Sequence, residues 1–410
     1  MAESAICTAQ RWLSIIGIGE DGAEGLSAVA RQLIRSAELV GGGARHLELA
    51  GELIGGRRLA WPSPIGDAFG EITRRRGHPV VVLASGDPFH FGIGKQNAAF
   101  VATDEFVCLP QPSAFSHAAA RMGWPLQDTA LVTLHGRALS GIVRHLQPGA
   151  RILALSWDGA TPRKLAELLA ARRMGPSRIA VLEAMGGARE RVRHATPANF
   201  DIEDVQPLNT IAIEVIAEPD ALLIPLTSGL DDDLFEHDGQ LTKREIRAVT
   251  LSSLQPLQGQ LLWDIGLGAG SVAIEWLLQH SSLRAVGIEA RSDRADRAAR
   301  NAAALGVPEL QIVQGHAPEA LAELARPDAV FIGGGIGDDG VFGAAWSALK
   351  SGGRLVANAV SLESEARLAG YFQQFGGELI RLQVARADKV GAMSGWRPAM
   401  PVTQWRVRKP

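Results

Sequence analysis

Leu261-Leu262-Trp263-Asp264-Ile265-Gly266-Leu267-Gly268-Ala269-Gly270-Ser271-Val272-Ala273-Ile274-Glu275 decides the fold. An apolar run ends in an acid, three glycines follow at alternate positions, and an amphipathic segment continues from them. That order predicts a strand, a tight turn and a helix N-terminus. Glycine admits positive φ and lets a ligand lie against bare backbone. The helix start offers unpaired N–H groups to something anionic. Farther along, Ala285-Val286-Gly287-Ile288 reads as a strand ending in Glu289, in the place where an acid grips ribose hydroxyls. The pattern predicts a site for a nucleoside-bearing cofactor.

A dinucleotide fingerprint, G-x-G-x-x-G, would need glycine at 271, which is Ser271. The acid-x-G-x-G-x-G form resembles motif I of the class I methyltransferases, which use S-adenosylmethionine. That resemblance implies that Gly266, Leu267, Gly268, Ala269, Gly270 and Glu289 hold the cofactor. On the residues alone, NAD or a glycine turn without a ligand stays open. Segments 311–317, 328–335 and 352–358 read as further strands with their exit loops. Strands alternating with helices predict a parallel, Rossmann-like doubly wound α/β sheet covered on both faces.

The chain has 410 residues, too many for one ordinary core, so two domains are expected. A net charge of −3 argues against a global electrostatic grip on nucleic acid. Cys7 and Cys108 form no metal or redox spacing, so no metal and a reduced cytoplasm are expected. No basic start leads into an apolar run, so no leader is expected. No apolar segment approaches the length that spans a membrane. Pro219, Pro225, Gly229 and Asp231-Asp232-Asp233 disfavour regular packing. They place a linker at 219–235, between domains at 1–218 and 236–410. Thr242 with Glu245 matches a capping box for the next helix.

In the first half, Gly17-Ile18-Gly19-Glu20-Asp21-Gly22 satisfies the dinucleotide pattern to the letter. Glu20 and Asp21 would repel a pyrophosphate. The helix is expected to start at a Ser27 cap rather than at the third glycine. No acid closes the next strand. A second loop is more specific: apolar Val80–Ala84 runs into Ser85-Gly86-Asp87-Pro88-Phe89-His90-Phe91-Gly92. Asp87 is held extended by Pro88; its carboxylate either serves a cofactor's cationic end or caps a turn. A third segment, Leu109-Pro110-Gln111-Pro112-Ser113-Ala114-Phe115-Ser116, opens a helix that closes on Arg121-Met122-Gly123-Trp124-Pro125.

Together these pieces resemble the tetrapyrrole methylase family, the class III methyltransferases. The resemblance implies a two-lobed α/β fold whose loops gather around S-adenosylmethionine. By match, Gly19, Glu20, Ser85, Gly86, Asp87, His90, Ser113 and Ala114 would line that site. The family loop often reads G-G-D-P, so Ser85 departs from it. A class III domain followed by a class I domain resembles the bifunctional methylases of aerobic cobalamin synthesis, over about residues 12–408. This implies two S-adenosylmethionine sites and a precorrin substrate. It also implies methylation of carbon 5 by the first domain. The second would methylate carbon 15 and decarboxylate the ring C acetate. By the same resemblance Thr242 and Ala317 touch the second cofactor, and the chain forms a homo-oligomer.

The many carboxylates of a precorrin call for cationic partners. His237, Lys243, Arg244 and Arg247 lie near the second loop, although a solvated basic helix face explains them equally well. His90 is as readily structural as functional. No catalytic residue is assigned. The other readings are a bifunctional methyltransferase acting on another substrate, an NAD-dependent oxidoreductase using the Gly17 loop, and a non-catalytic subunit.

Overall fold

The computed structural model describes residues 11–410; Cys7 and the start of the chain, where no leader is expected, lie outside the described residues. The chain divides into two compact units. One is formed by residues up to Arg137 with Gln147–Leu222, the other by Ala138–Leu146 with Leu223–Pro410.

The first unit holds two sheets. β1 (Leu13–Ile18), β2 (Leu39–Gly42), β3 (Arg57–Ala60), β4 (Val80–Ser85) and β5 (Phe106–Leu109) are all parallel, in the order β3-β2-β4-β1-β5. β1 and β4 are apolar along nearly their whole length because both their faces are covered. The second sheet contains β6 (Thr129–Thr133), β7 (Arg151–Leu155), β8 (Arg178–Glu183), β9 (Arg191–Ala195) and β10 (Asn209–Glu214). Its order is β6-β7-β10-β8-β9, and only β6 and β7 pair in parallel.

Ile18 pairs with Ser85, so the loops leaving β1 and β4 emerge side by side. A Cβ on Gly17 would sit 1.8 Å from the Gly86 carbonyl oxygen and 2.8 Å from the Gln111 amide nitrogen. Glycine there lets three chain segments meet backbone to backbone, which accounts for the first glycine of the fingerprint without a dinucleotide. A single helical turn, Gly22–Gly25, does begin at the third glycine, so that expectation is corrected. The longer helix Ala28–Ser36 follows, and its Ser27 hydroxyl accepts from the Ala30 amide at 3.2 Å.

The second unit is built on β11 (Leu261–Ile265), β12 (Arg284–Glu289), β13 (Gln311–Gln314), β14 (Ala329–Ile332), β15 (Arg354–Ala359), β16 (Glu378–Leu382), and, after the hairpin β17 (Ala385–Val390) and β18 (Met393–Pro398), β19 (Val402–Arg408). The main sheet runs β13-β12-β11-β14-β15-β19-β16, parallel through β15, with β19 antiparallel to both its neighbours. Strand order reverses direction beside β11, which is where open α/β sheets hold ligands.

The units part at Leu222, and the stretch expected to be a tether is folded. Ile224, Leu230 and Phe235 are buried. The amides of Gly229 and Leu230 donate to Glu275 at 2.7 and 2.9 Å. Ala138–Leu146, expected with the first domain, groups with the second unit. Ile142 and Val143 are buried there, and Arg144 pairs with Glu309 at 3.0 Å. Among the described residues no helix is long and apolar enough to cross a membrane.

Candidate functional site

In the second unit the buried strand β11 carries Asp264 to the mouth of the turn. Gly266 and Gly268 have φ of +77° and +56°. A Cβ on Gly266 would lie 2.8 Å from the Gly334 amide, because the loop after β14 crosses it. Glu289 ends β12. Its Oε2 accepts from the Gly268 amide at 2.8 Å and its Oε1 from the Arg291 amide at 3.0 Å. Each oxygen keeps a further lone pair for a ligand. The acid thus does two jobs: it holds the glycine turn and faces the space above it.

That space is a cavity of about 780 Å³, the size that encloses a small organic ligand. Of the expected residues, Thr242, Gly266, Leu267, Gly268, Ala269, Glu289 and Ala317 line it, as does Lys243. Asp264 lines it too, with Oδ2 accepting from the Ala273 amide at 3.0 Å. Asp264 Oδ1 is buried without a partner among the described residues. An unpaired buried carboxylate oxygen is costly unless a ligand satisfies it, and a cationic amino group is the matching one.

Burial, reinforced by the Glu289 charge and opposed by the Ala273 hydrogen bond, raises the Asp264 carboxyl from 3.8 to about 7. The folded state therefore keeps a proton that the unfolded chain gives up, and this group costs stability as pH rises between those two values. A ligand ammonium beside it favours the ionised form. S-adenosylhomocysteine is therefore expected to displace a proton when it binds at about pH 6, and to bind more tightly as pH rises toward 7. Calorimetry in buffers of different ionisation enthalpy measures the proton. Asp264→Asn is expected to abolish it, and binding with no proton release in the parent chain would contradict this account.

Four expected residues are placed elsewhere. Gly270 caps the helix Ser271–Gln279 at φ +81° and packs on Ala298 and Ile274, outside the cavity lining. Arg247 is fully buried. It donates to Glu275, Asp232 and the carbonyls of Thr242 and Leu230, and its guanidinium lies 4.7 Å from the Phe235 ring centre. It belongs to the core, not to a substrate clamp. Arg244 pairs with Asp231, and His237 accepts from the Gly239 amide at 3.0 Å. Thr242 is not the helix cap: the helix is Arg244–Leu254, its cap residue is Lys243, and no side chain bonds there. That leaves Thr242 facing the cavity. Arg294, Arg386 and His316 also line it and were not anticipated. Arg386 comes from the hairpin strand β17, far along the chain, where no local motif marks it.

The first unit holds a smaller cleft whose enclosed part is about 80 Å³. Gly19, Glu20, Ser85, Gly86 and Ala114 line it. Asp87, His90 and Ser113 do not. The Asp87 carboxylate accepts from the Phe89 amide at 2.9 Å through one oxygen, as a turn cap does. Ser113 caps the helix Ala114–Met122 by accepting from the Ser116 amide at 3.2 Å. His90 lies among Phe91 and Phe115, 4.8 Å from the latter's ring centre. Unanticipated lining residues are Arg45, His117, Asn209 and Thr210. Arg45 pairs with Glu20 and donates to Ser85 Oγ at 2.9 Å. It stands on a helix with no motif of its own, and the β2–β4 pairing brings that helix to the Ser85 loop.

The family model described as "Tetrapyrrole (Corrin/Porphyrin) Methylases" matches residues 13–201, and the one described as "Precorrin methyltransferase domain" matches 233–409. A precorrin-6Y C(5,15)-methyltransferase [decarboxylating] from Sinorhizobium sp is 56% identical over 96% of this chain and 95% of its own length. One named the same way from Mycobacterium tuberculosis is 40% identical over 96% of this chain and 99% of its own length. A cobalt-precorrin-7 C(5)-methyltransferase from Salmonella typhimurium is 29% identical over 49% of this chain and 98% of its own length.

Proposed function

The chain belongs to the precorrin-6Y C(5,15)-methyltransferase (decarboxylating) family, and we propose that its two units divide that reaction between two S-adenosylmethionine sites. The first unit methylates carbon 5. The second methylates carbon 15 and releases carbon dioxide from the ring C acetate, giving precorrin-8X in cobalamin biosynthesis. A relative of about half the chain's length that carries only C(5) in its name supports the first assignment, beside the tetrapyrrole methylase match at 13–201. The observation that carries the reading is the cradle of the second unit, where the unpaired Asp264 oxygen and Glu289 face one cavity across the glycine turn.

The residues present fit the methyl donor. Asp264 suits its ammonium group, Glu289 its ribose hydroxyls, and the bare backbone at Gly268 its close approach. In the first unit Gly19, Gly86 and Ala114 supply the equivalent backbone, with Glu20, Arg45 and Ser85 as polar groups. When bound, the sulfonium supplies a methyl group already activated for transfer. The protein's task is then to hold an electron-rich ring carbon in line with it, which is catalysis by proximity and orientation. Lys243, Arg386 and Arg294 line the second cavity while paired with Asp232, Glu245 and Asp238, and substrate carboxylates would compete for them. Electrons freed by decarboxylation pass into the conjugated macrocycle, so the substrate is its own electron sink. The same reading places the enzyme in the cytoplasm as a homo-oligomer.

Mass spectrometry of the product formed by the intact chain tests the reaction. The expected product has gained two methyl groups and lost one carbon dioxide. A product with two methyl groups and no loss of carbon dioxide would refute the decarboxylating role.

A further inference from the structure

Methylation of carbon 5 leaves a proton to be disposed of, and a role for the first unit in removing it rests on the assignment of that step to this unit. Carbon 5 is a bridging ring carbon bearing one hydrogen. As its double-bond electrons form the new C–C bond, the donor's C–S bond breaks and S-adenosylhomocysteine keeps that pair. The carbon then carries both hydrogen and methyl, and the positive charge lies on a conjugated ring nitrogen. Conjugation returns when the hydrogen leaves as a proton and its bonding pair re-forms the double bond. Of the nearby carboxylates, Glu20 is paired with Arg45, and Asp87 lies outside the cleft lining.

We infer that Ser85 and His46 remove this proton: Ser85 Oγ receives it at the cleft while the serine's own hydroxyl proton passes to His46 Nε2. Ser85 lines the cleft, and its Oγ lies 2.8 Å from His46 Nε2. Arg45 Nη2 lies 2.9 Å from that Oγ and 3.1 Å from that Nε2. A guanidinium can only donate. Nε2 therefore presents a lone pair, the ring hydrogen sits on Nδ1, and the Ser85 hydroxyl is the donor to Nε2. The remaining lone pair of Ser85 Oγ is left for the cleft.

Burial, followed by the neighbouring Arg45 charge, lowers His46 to about 4. The neutral, accepting ring is thus the form present at physiological pH. Nδ1 is buried without a partner among the described residues, so nothing supports a doubly protonated ring for long. The proton passes on to solvent. A weak acceptor suffices, because a C–H next to a cationic conjugated system is acidic. The serine at 85, where the family loop often carries glycine, gives this chain a hydroxyl at that position.

The test uses the full chain, S-adenosylmethionine and substrate deuterated at carbon 5, in single-turnover reactions. Ser85→Ala and His46→Gln are each expected to slow carbon 5 methylation by about 10²-fold and to raise the deuterium isotope effect clearly above the parent's. Ser85→Thr is expected to restore much of the rate. Carbon 15 methylation is expected to stay at the parental rate in both variants, and in His46→Gln, whose side chain lies outside the cleft lining, the KM for S-adenosylmethionine is expected to stay parental as well. Independently of turnover, the ¹⁵N spectrum of histidine-labelled, ligand-free protein is expected to place the His46 hydrogen on Nδ1. Folded variants that methylate at the parental rate, that slow only through KM, or that slow with no change in isotope effect would overturn the inference. So would a hydrogen on Nε2. A parent chain that never methylates carbon 5 would instead refute the assignment beneath it, a result readable without any variant.

Discussion

Gly268→Val is expected to eliminate cofactor binding in the second unit, and with it carbon 15 methylation and decarboxylation, while carbon 5 methylation continues. Two effects act together. Gly268 sits at φ +56°, where a β-branched residue is strained by about 1–2 kcal/mol. A Cβ there meets only the Gly266 carbonyl oxygen, at 4.0 Å. Protein therefore does not block the new side chain; it projects into the cavity the cofactor needs. Loss of the close backbone approach and of the space is expected to weaken S-adenosylhomocysteine by at least about 100-fold, or about 2.7 kcal/mol. Single-turnover product masses and the thermal shift measure the outcome. A folded variant that still methylates carbon 15 at the parental rate would place the second cofactor elsewhere. Loss of both methylations in a folded chain would end the proposed division of labour.

Arg247→Met is expected to destabilise the second unit by about 3 kcal/mol or more, because it strands a buried carboxylate. Glu275 is 1% exposed and is held by Arg247 and by the amides of Gly229 and Leu230. Removing the guanidinium also frees the carbonyls of Thr242 and Leu230. The segment entering the second unit and the Thr242 wall of the cavity are expected to loosen together. Denaturant unfolding followed for the second transition measures the loss. The double variant Arg247→Met with Glu275→Leu is expected to recover part of it, since the uncompensated charge is gone. Were Arg247 instead a substrate clamp, the single variant would raise the substrate KM and leave unfolding unchanged.

Arg247 also marks where sequence reading stops. Its spacing from Lys243 reads as a basic helix face, but burial depends on Glu275, which a sequence shows only as one acid inside the apolar motif helix. The same carboxylate explains why the proline- and acid-rich stretch before the second unit folds down rather than acting as a tether. Local backbone chemistry was more legible. Ser27 as a cap, the strand ending in Glu289 and the positive-φ glycines at 266 and 268 follow from rules that act within a few residues. The Thr242–Glu245 pair shows the limit of such rules: the cap falls one residue later, at Lys243, and Thr242 turns to the cavity. The Asp87 turn cap is equally local, formed with the Phe89 amide two residues on. Long-range pairing produced the illegible part. Arg45 and His46 reach Ser85 through β2 beside β4, and Arg386 reaches the second cavity from a hairpin.

If the two units divide the reaction, one chain carries two independent S-adenosylmethionine sites with separate chemistry. Calorimetric titration of the intact chain with S-adenosylhomocysteine tests it most directly. The account predicts two sites per chain in the parent and one in Gly268→Val. One site per fully active parent chain would contradict it.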